Sequence, residues 1–199
     1  MRPENREKRE AQIVEAAYEL LEKKGFDGVS MLGVARAAKA SNETLYRWYG
    51  DKHGLFMALV ARNVAEVEAS LSEGEGDLKD VLDQFGPVLL GMLLGPRAIA
   101  LNRAAAADGT GALGMALAQG GRDVVRPKLV AIMAKLDPSG TKEDLFSRAE
   151  LYFTLLIGDL QIRRVTRVLG PLTPQEIQAR SDTALGQFMQ IVQAAAKTE

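Results

Sequence analysis

Between Ser41 and Lys52 the chain sets out Ser41, Asn42, Glu43, Thr44, Tyr46, Arg47, Trp48 and Lys52. These side chains carry hydroxyls, an amide, a carboxylate, a guanidinium, an indole and an ammonium. They can exchange hydrogen bonds and meet negative charge, but they hold no nucleophile paired with a base. The chemistry on offer is recognition, not bond making. The rest of the sequence agrees. Its 199 residues contain no cysteine and one histidine, His53, which excludes thiolate nucleophiles, Cys-ligated zinc, iron–sulfur clusters and multi-His metal sites. There is no HExxH, no GxSxG and no Gly-rich phosphate loop. Neither an enzyme, a metal nor a cofactor is expected.

These residues need elements to hold them. Ser41 is a good N-cap for a short helix over Asn42 to Arg47, closed by Trp48 and Tyr49. Ser30 caps another over Met31 to Ala37, with Lys39-Ala40 as the tight connection. A longer helix from Arg6 to Lys24 carries Ile13, Ala17, Leu20 and Leu21 on one face and stops at Gly25. Phe26 and Val29 are expected to fold back onto that face. Asp51 caps a fourth helix whose apolar face is Leu55, Leu59, Val60, Val64, Val67 and Leu71. Two short helices joined by a tight turn, behind a supporting helix, outline a helix-turn-helix. Its second helix must enter a major groove about 12 Å wide with its N-terminus toward the bases. Short polar residues suit that end, and the helix N-terminus favours an anion. The plainer alternative makes Leu45, Tyr46, Trp48 and Tyr49 the core of a small bundle and Lys52 an ordinary surface lysine.

The stretch Ile13 to Val60 resembles the TetR family of bacterial transcriptional repressors. The matching positions are Ala38, Ser41, Thr44, Leu45, Tyr46, Tyr49, Lys52 and Leu55, with Ile13, Ala16, Ala17, Leu20, Gly25-Phe26, Ser30 and Val34-Ala35 upstream. Where the family has its turn Gly, this chain has Lys39. The next Val is Ala40, the Gly inside the recognition helix is Glu43, and the common His is Trp48. The resemblance implies base-edge contact by Asn42, Glu43 and Arg47, and phosphate contact by Ser41, Thr44, Tyr46, Trp48 and Lys52. Glu43 can accept a hydrogen bond from cytosine. Arg2, Arg6, Lys8 and Arg9 form a basic arm expected to add salt-sensitive affinity.

The resemblance also implies an all-α fold: a three-helix DNA-binding domain over residues 1–52, then a larger helical dimerisation and ligand-binding domain over 53–199. The composition fits, with 47% apolar and 26% charged residues, too apolar for a wholly disordered chain. The net charge of −1 excludes a generally basic polyanion binder, so any DNA contact must be a local patch. No apolar run reaches the roughly 20 residues of a membrane span, and the charged N-terminus lacks a signal peptide's apolar core. The expected location is the cytoplasm, with no membrane partner. After a loop at Glu73–Asp77, helices are expected over 78–94, 96–108, 111–119, 121–136, 142–169 and 174–196. The last two are the expected homodimer contact, through Leu151, Leu155, Gly158, Ile162, Val165 and Leu169, and Ile177, Ala184, Leu185, Phe188, Ile191 and Val192. Phe85, Met92, Asn102, Arg103, Met115, Tyr152, Phe153 and Gln161 are candidates to line a pocket for a small-molecule effector. The expected function is a ligand-responsive repressor acting as a homodimer on a pseudo-palindromic operator. The alternative is a helical protein-interaction module that has lost DNA binding, for which Lys39 and Glu43 are the features.

Overall fold

A computed structural model of the chain describes residues 3–70 and 77–195. Arg2, Leu71, most of the expected 73–77 loop and Ala196 lie outside the described residues, as does the side chain of Val67. Every regular element among the described residues is helical: α1 (Pro3–Lys24), α2 (Met31–Ala37), α3 (Asn42–Tyr49), α4 (Lys52–Ser70), α5 (Leu78–Leu93), α6 (Pro96–Ala107), α7 (Ala112–Leu117), α8 (Asp123–Leu136), α9 (Lys142–Ile157), α10 (Leu160–Val165) and α11 (Pro174–Ala195).

Local chemistry sets most helix starts. Ser30, Ser41, Asp77 and Thr141 hold extended backbone before α2, α3, α5 and α9, and each side chain accepts from the amide three residues on. Asp51 does the same for Gly54 at the start of α4, at 2.8 Å. Before α11, Thr173 Oγ1 accepts from the Glu176 amide at 3.2 Å while Glu176 accepts from the Thr173 amide at 2.7 Å, a complete capping box.

Contacts divide the chain into two compact units, residues 1–64 with 96–121, and residues 65–95 with 122–199. The division expected at residue 52 is therefore displaced, because α6, α7 and the first part of α4 pack with the N-terminal helices. Arg97, at the start of α6, bonds Glu15 at 2.6 Å and lies 4.9 Å over the Tyr18 ring. The Tyr18 hydroxyl in turn donates to the Leu59 carbonyl of α4 at 2.7 Å. The expected start of a helix at Gly121 is instead a π turn over Ala118–Arg122. There Gly120 approaches Val60 so closely that a Cβ would lie 2.5 Å from its Cγ1.

In the second unit α5 buries Val81, Leu82, Phe85, Leu89 and Leu90 in a core with Leu129, Met133, Tyr152, Leu156, Ala184 and Phe188. Pro87 inside α5 removes the amide that would bond the Asp83 carbonyl. Beside it the buried Tyr152 hydroxyl donates to the Leu82 carbonyl at 3.3 Å. Gly86 makes room for this polar contact: a Cβ there would lie 2.5 Å from the Tyr152 oxygen and collide with Ser181.

The single helix expected over 142–169 is two. Gly158 adopts φ 47°, ψ −130° and ends α9. Arg180 of α11 closes the end, donating to the Leu156 carbonyl at 3.0 Å and also to the Leu155 carbonyl. Apolar spacing runs on through the break, which is why periodicity hid it. Part of the expected dimer face also turns inward, since Ala184, Leu185 and Phe188 are buried in their own unit. Ile162 and Ile191 remain 59% and 46% exposed.

Two outcomes follow from these contacts. Gly86→Ala should cost about 1–3 kcal/mol by overpacking, read as a lower urea midpoint. The hydrogen bonds from Thr173 hold the Glu176 carboxyl below the usual carboxylate range. Its contribution to stability is full above the unfolded value of about 4.3 and is lost as pH falls through the folded value. Glu176→Gln should therefore make the decline of stability shallower over about pH 5 to 3, measured by urea unfolding at stepped pH.

Candidate nucleic-acid interface

Leu45 is wholly buried beneath α3, with Trp48 and Tyr49 half-buried beside it. Anchoring that face turns Asn42, Glu43, Tyr46 and Arg47 outward on the opposite one, and all four are exposed. Glu43 and Arg47 stand at i, i+4 and balance each other's charge. Arg36 and Lys39 are exposed on the preceding helix and turn. An exposed face of one amide, one carboxylate, one phenol and one guanidinium matches the donor and acceptor patterns of base edges better than it matches a bare phosphate.

The other four candidates in this stretch are engaged in building the unit. Ser41 Oγ accepts from the Thr44 amide at 3.0 Å and lies 2.8 Å from the Thr44 hydroxyl, so both begin α3. Trp48 meets Tyr49 edge-on and sits 5.6 Å beneath the Arg6 guanidinium. Lys52 points away from the exposed face. Its ammonium donates to the Phe26 carbonyl at 2.8 Å and lies 4.1 Å from the Phe26 ring, which packs edge-on against Phe56. Phe26 and Val29 do fold back onto the core, and Lys52 is the side chain that fastens them.

The turn before α3 takes the geometry a glycine would supply. Lys39 has φ 51°, a left-handed conformation that costs a side-chain-bearing residue about 1–2 kcal/mol. The Ala40 amide bonds the Ala35 carbonyl at 2.9 Å and the Lys39 amide bonds the Arg36 carbonyl at 3.2 Å, which is the Schellman closure of α2. Arg9 of α1 supports the turn, donating to the Lys39 carbonyl at 3.0 Å. Nothing local in the sequence could pair Arg9 with a turn thirty residues on; the lysine at a glycine position was the one sign that the turn needed support. The Tyr49 hydroxyl is buried without a hydrogen-bond partner among the described residues. Burial, with Glu10 nearby and Arg6 opposing, pushes its pKa up to about 12.

The effector candidates fall in both units. Asn102, Arg103 and Met115 belong to the first, where Asn102 donates to the Ala98 carbonyl at 2.9 Å and Met115 is 63% exposed. Phe85, Met92, Tyr152, Phe153 and Gln161 belong to the second. Phe85 and Tyr152 are core there, Met92 and Phe153 pack against that core, and Gln161 donates to the Leu93 carbonyl at the end of α5 at 3.2 Å. Phe153 lines a small crevice with Val125, Leu129, Ala149 and the Arg126–Glu150 ion pair, which closes at 2.8 Å. Among the described residues no group of acidic or histidine side chains could hold a metal ion, and no single helix is long and apolar enough to cross a membrane.

Residues 13–59 match the family model for bacterial regulatory proteins of the tetR family. A TetR-family regulator from Mesorhizobium loti is 25% identical over 92% of this chain and 96% of its own, with a TM-score of 0.77. A TetR regulator from Agrobacterium tumefaciens is 26% identical over 96% of this chain and 95% of its own, with a TM-score of 0.75. Residues 13–59, which hold α2 and α3, are a DNA-binding region of the TetR family's kind. The uncharacterized HTH-type transcriptional regulator YvkB of Bacillus subtilis is 34% identical over 90 residues, so the chain spans 45% of the length of that curated relative. These relatives are named as transcriptional regulators. Lys39 and Glu43 depart from the family's sequence pattern, yet the backbone around them keeps the cap, turn and exposed face of a helix-turn-helix.

The division of labour in this stretch is measurable without DNA. Lys52→Met should destabilise the protein by about 1 kcal/mol through the lost charged hydrogen bond and ring contact. Arg47→Ala, at an exposed position, should stay within about 0.5 kcal/mol of wild type. Urea unfolding of both variants checks the contrast.

Proposed function

We propose that this chain is a sequence-specific DNA-binding transcriptional regulator, a ligand-responsive repressor that acts as a homodimer on a pseudo-palindromic operator. The observation that carries the reading is the outward face of α3, where Asn42, Glu43, Tyr46 and Arg47 stand exposed on a helix capped by Ser41 and anchored by Leu45. Asn42, Glu43 and Arg47 read base edges, and Tyr46 meets a phosphate. Arg47 suits guanine, Asn42 adenine and Glu43 the amino group of cytosine. Ser41 and Thr44 contribute through the amides they orient at the helix N-terminus, a favourable place for a phosphate.

Two copies supply two half-sites, one helical turn or a multiple apart. The outer face of α11, with Ala179, Thr183, Gly186 and Gln190 exposed, supports close approach of a second copy, together with Ile162 and Ile191. A small-molecule effector would act by favouring one of two conformations, with a coupling of about 1–3 kcal/mol. The left-handed turn at Lys39 weakens the alternative of an interaction module that has lost DNA binding, because the departure from glycine leaves the turn formed.

Selection from random duplex DNA at about 150 mM salt tests the proposal, since lower salt strengthens nonspecific binding. A palindromic site recovered by a dimer is the expected result. Asn42→Ala or Arg47→Ala should then cost about 1–3 kcal/mol at one base position each, while Tyr46→Ala weakens binding to all sequences alike. Failure to enrich any site, at this salt and at low salt, would favour the interaction module.

A further inference from the structure

Arg6 and Arg9 stand at i, i+3 on α1; Arg9 reaches the turn that precedes α3, and Arg6 reaches the last turn of α3. Arg9 Nη1 donates to the Lys39 carbonyl at 3.0 Å and lies 3.5 Å from the Ala38 carbonyl, in the turn between α2 and α3. Arg6 covers the Trp48 ring at 5.6 Å, in the last turn of α3. The sequence suggested a different use for both, as members of a basic arm giving salt-sensitive affinity. We propose that Arg9 is a positioning residue for DNA reading: it holds the left-handed turn at Lys39 and so fixes the angle at which α3 is presented, while Arg6 steadies the far end. The proposal rests on the DNA-binding reading above.

Three observations carry it. The Schellman closure uses the amides of Lys39 and Ala40, and Arg9 takes up the carbonyls of Ala38 and Lys39. Lys39 is not glycine, so its left-handed conformation is not self-maintaining and gains from an outside bond. Both contacts come from Nη1, which faces the two successive carbonyls and holds the head of the side chain against the turn. Base reading tolerates misplacement of only about 0.5 Å or 10–20° in the reading side chains. A side chain that sets the attitude of α3 thus governs discrimination without touching DNA.

The test has two arms on the full chain, using Arg9→Met, Lys39→Gly and the double variant. Without DNA, hydrogen exchange is followed at the Ala40 amide, which bonds the Ala35 carbonyl at 2.9 Å. Arg9→Met should speed exchange there by about tenfold while core amides of the unit stay protected, and Lys39→Gly in the same chain should restore it. Unchanged Ala40 exchange in Arg9→Met would overturn the clamp. With DNA, affinity for the selected site and for a scrambled duplex is measured across a salt series. Arg9→Met should lower the ratio about tenfold, the scale of one misread base pair, with an unchanged salt slope. The double variant should recover the ratio of Lys39→Gly alone. A slope reduced by about 0.9, with no recovery, would make Arg9 a phosphate contact and sink the proposal. If the wild-type chain discriminates no duplex, the DNA-binding reading fails and the positioning role with it, while the exchange arm still decides whether Arg9 holds the turn.

Discussion

An eight-residue helix cannot hold itself in water. Isolated helices shorter than about 12–15 residues are marginal even with the best composition. All that α3 does therefore depends on stability lent from outside. Leu45 anchors it from beneath, Ser41 satisfies an amide at its start, and a left-handed turn joins it to α2. Two arginines of α1 support it, Arg9 at the turn before it and Arg6 over Trp48 at its end. The first unit is organised around that need, down to Arg97 and Tyr18, which tie α6 and α4 onto the same supporting helix α1.

Lending side chains to that task decides which remain for recognition. A hydroxyl that accepts its own helix's amide, or an ammonium seated on an aromatic ring, has given up part of what it could offer a ligand. Ser41, Thr44, Trp48 and Lys52 are committed in this sense, and Asn42, Glu43, Tyr46 and Arg47 are not. The exposed set is electrically near neutral, with Glu43 against Arg47. Since phosphate attraction supplies sequence-independent affinity and base contacts supply preference, such a face is biased toward preference.

What could be seen in the sequence was what is decided locally. The caps at Ser30, Ser41 and Asp51 each need only a few consecutive residues, and each formed. The break at Gly158 escaped because Leu155, Ile162 and Val165 keep helical spacing across it, while the closing group, Arg180, comes from another helix. The packing of 96–121 with the N-terminal helices escaped for the same reason: Arg97 and Glu15 are far apart in sequence. The contact of Lys52 with the Phe26 ring could not be read, because a lysine after a cap looks the same whether it faces solvent or an aromatic ring.

The second unit poses the opposite problem to α3. Its long helices can bury large side chains generously, and Phe85, Tyr152 and Phe188 go wholly into its own core. Two of the aromatic residues best suited to grip an effector are thereby committed to packing. Any small molecule that entered this core would have to replace contacts at interior density and so match the space in shape as well as polarity. The Tyr152 hydroxyl, with Gly86 and Ser181 beside it, is where such a replacement would meet polar chemistry, because hydrogen bonding there must be kept or substituted when the helices part. Small residues are exposed on the outer side of α11, where its backbone lies open to close approach. One helix thus serves the interior with Ala184, Leu185 and Phe188 and leaves Ala179, Thr183 and Gly186 exposed, a division set by its periodicity.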